Sequence, residues 1–330
     1  MSTTRPKVLI TRIIPEVGVR LLRETCDVEQ WQSNEGIPRD TLKVMLADKD
    51  ACLALVTERF DADLFAAAPR LKVVANFAVG YDNLDLAEAT RRGIMLTNTP
   101  DVLTETTADF AWTLLMAAAR NVLPADEYIR AGRWTILKPG ACLGQDVYGS
   151  TLGIIGLGQI GQAVARRATG FNMRVLYHSP RRVPDVEARY GAEYREHKAD
   201  LLREADFVSL HAPLTPDTRH LIDADALALM KPTAVLVNTA RGAIVDTDAL
   251  VHALTTGRIF AAGLDVTDPE PLPADHPLMR LPNCVVAPHI GSGSFAARDA
   301  TSVLAARNIL AALRGERPPS LLNPDVLQKA

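Results

Sequence analysis

The string Gly156-Leu157-Gly158-Gln159-Ile160-Gly161 constrains this chain more than any other feature. It follows the apolar run 151–155 and opens a helix-like segment, 162–167. Alone, a G-x-G-x-x-G string marks little more than a tight turn; between a strand and a helix it predicts a dinucleotide-binding βαβ unit. Gly156 permits the turn, Gly158 lets backbone approach a pyrophosphate, and Gly161 lets helix and strand pack closely. The helix start then presents N–H groups and a partial positive charge to the phosphates. Leu157, Gln159 and Ile160 complete the expected cofactor-binding turn.

Around this turn, short apolar runs alternate with helical patterns. Strands are expected at 7–11, 51–56, 71–75 and 94–97, with helical patterns at 16–25, 39–47, 62–68 and 84–92 between them. A longer helical stretch, 103–120, leads to a second series of strands at 152–155, 174–177, 207–210, 234–238, 261–265 and 284–287. Runs of this kind suit parallel strands covered on both faces. With 330 residues, two domains of ordinary size are expected. The fingerprint begins near mid-chain, so the first hundred residues should form another α/β domain, to which the helical run 296–313 could return. The expected class is α/β, with two Rossmann-like doubly wound domains. A discontinuous, flavodoxin-like domain (1–99 and 294–330) would carry an inserted dinucleotide-binding domain (100–293).

Composition excludes several classes of function. A formal net charge of −3, with 23% charged residues and no basic stripe, gives no support for nucleic-acid or membrane binding. No stretch reaches the ~18 unbroken apolar residues of a membrane span. The first residues lead into the strand at 7–11 without a signal-peptide apolar core, so a cytoplasmic location is expected. Cys26, Cys52, Cys142 and Cys284 are scattered, and read as reduced, partly buried thiols rather than a disulfide frame or metal site.

In this motif class, a carboxylate at the end of the second strand binds the ribose 2′-hydroxyl of NAD. Here that place is taken by Ser179, Arg181 and Arg182. A hydroxyl and two guanidiniums suit a 2′-phosphate, which a carboxylate would repel. The expectation is NADP(H) preferred, with NAD(H) as the alternative, unless the arginines are simply a solvated pair.

Three later segments end strand-like runs with polar residues, where a doubly wound sheet has its ligand crevice. They carry Arg241, Glu270 and His289. Taken singly, these would pass for a surface ion-pair member, a turn residue and a capped core histidine. Their joint occurrence downstream of one fingerprint resembles the D-isomer-specific 2-hydroxyacid dehydrogenase family, over nearly the whole chain. The most specific tracts are 156–161, 238–246, 263–271 and 288–292. Tracts 100–106 and 265–277 make the likeness strongest to the glyoxylate/hydroxypyruvate reductases of that family.

That resemblance implies Arg241 as the substrate-binding arginine, Glu270 as its acidic partner residue and His289 as the acid/base. The physics agrees. A planar guanidinium can pair with a 2-oxoacid carboxylate and polarise the adjacent carbonyl. Hydride addition leaves an alkoxide that needs a proton from a positioned acid, and a neighbouring carboxylate favours the imidazolium that donates it. The resemblance further implies cofactor contacts from Ala212, Pro213, Thr239, Ala240, Asp265 and Gly291, with Asp265 near the nicotinamide carboxamide. Val79 and Gly80 match the loop whose N–H groups hold the substrate carboxylate. Phosphite dehydrogenases have a lysine at position 79; valine favours a monoanionic oxoacid. No metal is implied.

The implied function is NADPH-preferring reduction of glyoxylate and hydroxypyruvate to glycolate and D-glycerate. Alternatives are an NAD-linked dehydrogenase of another D-2-hydroxyacid or of phosphite, and a nucleotide-sensing, corepressor-like binding protein. A homodimer is implied through the segment 103–149. Thr107, Ala108, Ala111, Leu115, Ala118 and Ala119 offer a small apolar helical face that could meet a twin or pack within one subunit. The tract 138–142 departs from the reductases, which carry bulkier residues there.

Overall fold

The computed structural model describes residues 5–328, which fall into two compact units. One comprises the chain through Leu103 and from Ser294 onward; the other is Thr104–Gly293.

The first unit is built from β1 (Lys7–Ile10), α1 (Glu16–Arg23), β2 (Asp27–Gln30), α2 (Arg39–Leu46), β3 (Ala51–Ala54), α3 (Ala62–Ala66), β4 (Val73–Asn76), α4 (Leu86–Arg91) and β5 (Met95–Thr97). The second holds α5 (Thr104–Ala119), α6 (Val122–Arg130), β6 (Thr151–Ile155), α7 (Gln159–Thr169), β7 (Arg174–His178), α8 (Pro184–Tyr190), β8 (Glu193–Tyr194), α9 (Lys198–Glu204), β9 (Phe207–Leu210), α10 (Ala224–Leu229), β10 (Val235–Asn238), α11 (Thr247–Thr255), β11 (Ala261–Leu264) and β12 (Cys284–Val286). The chain then returns to the first unit through α12 (Phe295–Leu313).

Both sheets are wholly parallel. The first has strand order β2-β1-β3-β4-β5, the flavodoxin-like arrangement. The second runs β12-β11-β10-β9-β6-β7-β8, a dinucleotide-binding order with an extra strand beyond β11. Strands β3, β9 and β10 are buried at every position, because helices cover both faces of each sheet. Each unit accordingly has one apolar cluster on either side of its sheet.

Helix α12 packs on α1, β3 and β4. A Cβ at Gly18 would lie 2.2 Å from Ser302 Oγ, so glycine is what lets α1 and α12 come so close. The small face of α5 is used within the second unit: Ala108, Ala111, Leu115 and Ala119 are at most 2% exposed and belong to its core. Of the two readings of that face, packing inside one subunit is the one observed. The four cysteines are unpaired, and Cys142 is exposed, in contrast to the partly buried state expected of it. Among the described residues, no helix is long and apolar enough to cross a membrane.

Candidate active site

In the second unit, the sequence-selected residues follow the strands' carboxyl ends in order. Ser179 follows β7, the glycine turn β6, Ala212 and Pro213 β9, and Thr239 to Arg241 β10; Asp265 follows β11 and His289 lies just beyond β12. Neighbouring strands lie about 5 Å apart. One sheet edge therefore sets all these groups along a line, and the strand order reverses at β6 and β9, where such folds bind ligands.

At that reversal Gly156 has φ +92°, and a Cβ there would sit 2.6 Å from the Ala212 nitrogen. At Gly161 a Cβ would meet the Gly156 carbonyl oxygen at 2.3 Å. Around Gly158, by contrast, the Cβ direction is open, and α7 begins there without a side-chain cap. Its first N–H groups are thus left for an anion. The Thr239 hydroxyl is buried without a hydrogen-bond partner among the described residues. These features fit a bound dinucleotide.

The segment beyond β7, where the sequence reading expects the adenosine side of the cofactor, is less open than that reading implies. Ser179 is buried, and its hydroxyl donates to the Arg181 carbonyl. The Arg182 fork is taken by Glu187, with Nε–Oε1 3.0 Å and Nη2–Oε2 2.6 Å, and its plane lies over the Tyr194 ring at 5.6 Å. Glu187 also accepts from the Tyr177 hydroxyl at 2.6 Å, and Arg182 followed by Tyr177 holds its carboxyl below the ordinary value. The Arg181 side chain is exposed.

At the other end, His289 Nδ1 and Glu270 Oε1 are 2.6 Å apart, with side chains 34% and 41% exposed. Burial pushes the Glu270 carboxyl up, but the His289 hydrogen bond and the charges of His289 and Arg241 outweigh it, leaving the group below its usual range. Arg241 stands on a turn tied by Asn238, which is 1% exposed: its Nδ2 donates to the Arg241 carbonyl at 2.8 Å and its Oδ1 accepts from the Ala240 N–H at 3.0 Å. A Cβ at Gly242 would lie 1.9 Å from the Thr267 carbonyl oxygen, so glycine lets this turn press on the segment leading to Glu270.

His289 has φ +55°, a conformation that an L-residue holds only when its surroundings enforce it. Asp265 supplies that enforcement. It is 2% exposed, its backbone carbonyl accepts from the His289 N–H at 2.8 Å, and its carboxylate accepts from Ile290 and Gly291 N–H, each at 2.7 Å. Burial raises the Asp265 carboxyl even against those two N–H groups. Gly291 is close-packed for the same reason, since a Cβ there would meet Asp265 Oδ2 at 2.8 Å. Sequence reasoning assigned Asp265 and Gly291 to the cofactor; their tie to the His289 loop was not among the expectations.

Val79 and Gly80 belong to the first unit, in the loop after β4, and are partly buried. Asn76 and Asn98, which brace this loop, were missed; one is the last residue of β4 and the other follows β5, with no motif to mark either.

Fold and site define a pyridine-nucleotide oxidoreductase. Residues 112–291 match the model of the D-isomer specific 2-hydroxyacid dehydrogenase NAD-binding domain. The chain is 53% identical over 328 residues to a glyoxylate reductase of Thermococcus kodakarensis, covering 98% of each protein. Its fold is similar to the NADPH-dependent glyoxylate/hydroxypyruvate reductase of Sinorhizobium meliloti solved with NADP and malonate (TM-score 0.84, 32% identity, 98% of each chain). A glyoxylate reductase from Paecilomyes thermophila is likewise similar (TM-score 0.86, 32% identity, 97% of this chain and 99% of that one). The chain belongs to the D-isomer specific 2-hydroxyacid dehydrogenase family. It is an NAD(P)-dependent oxidoreductase acting on the CH–OH group, with a nicotinamide dinucleotide as cofactor.

Proposed function

We propose that this chain reduces glyoxylate and hydroxypyruvate to glycolate and D-glycerate, preferring NADPH, with His289 as general acid. The observation that carries the reading is the 2.6 Å contact between His289 Nδ1 and Glu270. With Nδ1 committed to a carboxylate, Nε2 is the ring nitrogen left to protonate an alkoxide. The Glu270 carboxylate fixes the ring's orientation. Arg241, on its braced turn, pairs with the substrate carboxylate and polarises the carbonyl. Val79 and Gly80 N–H groups are further donors to that carboxylate. When bound, the cofactor supplies the hydride. Gly156, Leu157, Gly158, Gln159, Ile160 and Gly161 cradle its pyrophosphate, while Thr239, Ala240, Ala212, Pro213, Asp265 and Gly291 line its path.

The NADPH preference rests on Arg181, the absence of a carboxylate at the β7 end, and the NADP-bound relative; Ser179, whose hydroxyl donates to the Arg181 carbonyl, supports it less. Arg182 supports it less, being engaged by Glu187; that engagement is what favours the NAD-linked alternative. We also infer a cytoplasmic homodimer. Trp134, Ile136, Leu137 and Leu143, large apolar side chains within one ten-residue segment, are 61–80% exposed, which suits a covering partner.

Steady-state rates with glyoxylate, hydroxypyruvate and pyruvate, each with NADPH and NADH, test the reading. Tight NADPH binding without oxidation by any 2-oxoacid would favour the nucleotide sensor instead.

A further inference from the structure

The loop after β4 is held in an unusual way. Three successive carbonyl groups are each taken up inside the first unit: Ala78 O accepts from Thr99 N–H at 2.9 Å, Val79 O from Asn98 Nδ2 at 2.9 Å, and Gly80 O from Asn76 Nδ2 at 2.8 Å. In a trans peptide, the C=O of one residue and the N–H of the next point in opposite directions. Pinning those three carbonyls therefore turns the N–H groups of Val79, Gly80 and Tyr81 the other way. None of these three N–H groups has an acceptor among the described residues.

The amides doing the pinning are themselves fixed. Asn76 is 0% exposed and exchanges reciprocal hydrogen bonds with Asn83 at 3.3 Å. Asn83 Nδ2 in turn donates to the Glu58 carbonyl at 3.0 Å. Asn98 is 7% exposed, and its carbonyl accepts from Asn308 Nδ2 at 3.0 Å and Ser320 Oγ at 2.6 Å. Asn308, on α12, is fully buried, and its Oδ1 accepts from Ser320 as well. Buried amides with all these partners have one arrangement available, which is what a fixed set of donors requires.

We propose that Asn76 and Asn98 are positioning residues for the substrate carboxylate, and that Tyr81 N–H joins Val79 and Gly80 as its third backbone donor. The inference rests on the oxoacid reading above and deepens it. The two amides touch no reacting atom. They set the direction of donors that hold the carboxylate equally in ground and transition states, so their loss appears in KM rather than kcat.

The test compares Asn76→Ala and Asn98→Ala with Asn323→Ala. Asn323 is an equally buried amide of the same unit, which binds Leu96 N–H, Ile94 O and Thr90 Oγ1 away from the loop. Readouts are KM and kcat for glyoxylate, Ki for the unreactive carboxylate oxamate, Kd for NADPH and the melting temperature. Each loop variant should raise KM and Ki about tenfold, as misaligned hydrogen bonds to a charged group would, with kcat changed less than about threefold. Kd for NADPH should hold, and Asn323→Ala should lower the melting temperature without altering KM. If the loop variants fold too poorly to assay, Ser320→Ala, which removes only one support of Asn98, should raise KM by about twofold. Melting changes with unaltered KM and Ki in the loop variants, or in Ser320→Ala where it replaces them, would overturn the proposal while leaving the oxoacid reading intact. Absence of any 2-oxoacid turnover in the wild type would sink both.

Discussion

Replacing Asp265 with asparagine is the sharpest probe of how the His289 loop is built. The side chain keeps its shape but changes its hydrogen-bonding capacity. The Asp265 carboxylate, 2% exposed, accepts two N–H groups at 2.7 Å, from Ile290 and Gly291. Charge-assisted bonds of this kind are worth about 1.5–3 kcal/mol each. Asparagine can retain one as a weaker neutral bond, but its amide then faces the second N–H, and an unpaired buried donor costs about 1–3 kcal/mol. Relief from burying a charge works the other way, since burial raises this carboxyl in the folded protein. The balance is a loss of about 1–3 kcal/mol. In a unit of about 190 residues this lowers Tm by roughly 3–10 °C. Because the carboxylate fixes the two residues that follow His289, whose φ is +55°, and a displaced loop would move the proposed acid by an ångström, kcat should fall by about 10². Thermal unfolding by circular dichroism, together with steady-state kinetics, reads both. A Tm within about 1 °C of wild type and an unchanged kcat would refute the argument, since no buried donor would then have lost its partner.

Other outcomes follow from the same geometry. Arg181→Ala should reduce the Kd(NADH)/Kd(NADPH) ratio by about tenfold, the loss of a charge-assisted bond to phosphate, whereas Arg182→Ala should leave it nearly unchanged because Glu187 already takes that fork; fluorescence titration distinguishes them, and the opposite ranking would contradict the assignment. Glu270→Gln should lower kcat by roughly 10–10² through looser orientation of the His289 ring. In the wild type, the Glu270 carboxyl lies below its ordinary value, so its bond to His289 persists above the usual carboxylate range and is lost as pH falls through the folded value. A pH–rate profile of the variant identical to wild type would dismiss this role. His211 is half-buried as a residue, its Nε2 lies 2.8 Å from Ser209 Oγ, and desolvation of its ring pushes it down to about 4. An unfolded histidine takes its proton near pH ~6.5, so between those values the unfolded chain binds more protons and stability falls on acidification, by up to about 3 kcal/mol. His211→Gln should flatten that slope in urea melts, and an equally steep slope would exclude His211 as its source.

How much of this was legible in the residues depends on what each signal reports. The alternation of apolar strands and helices marked most of both sheets, because strands covered on both faces must be apolar throughout. Strand β2, Asp-Val-Glu-Gln, escaped notice since it lies at a sheet edge and needs to bury little. Strand β8 is only two residues long at the opposite edge of the second sheet. Arg241, Glu270 and His289 could be picked out because side-chain chemistry and strand ends coincide there. The engagement of Arg182 by Glu187 was invisible, since it depends on a helix turning one carboxylate back toward the loop. Asn76, Asn98 and Asp265 act on backbone groups, and a residue that holds backbone leaves no pattern in composition or spacing.

The most direct measurement of the central claim is the single-turnover rate of NADPH oxidation by glyoxylate, in wild type and in His289→Gln. Turnover is expected in the wild type, with a fall of about 10² or more in the variant at unchanged NADPH affinity. Equal rates in the two proteins would show that the proton comes from elsewhere, and the role assigned to His289 would be wrong.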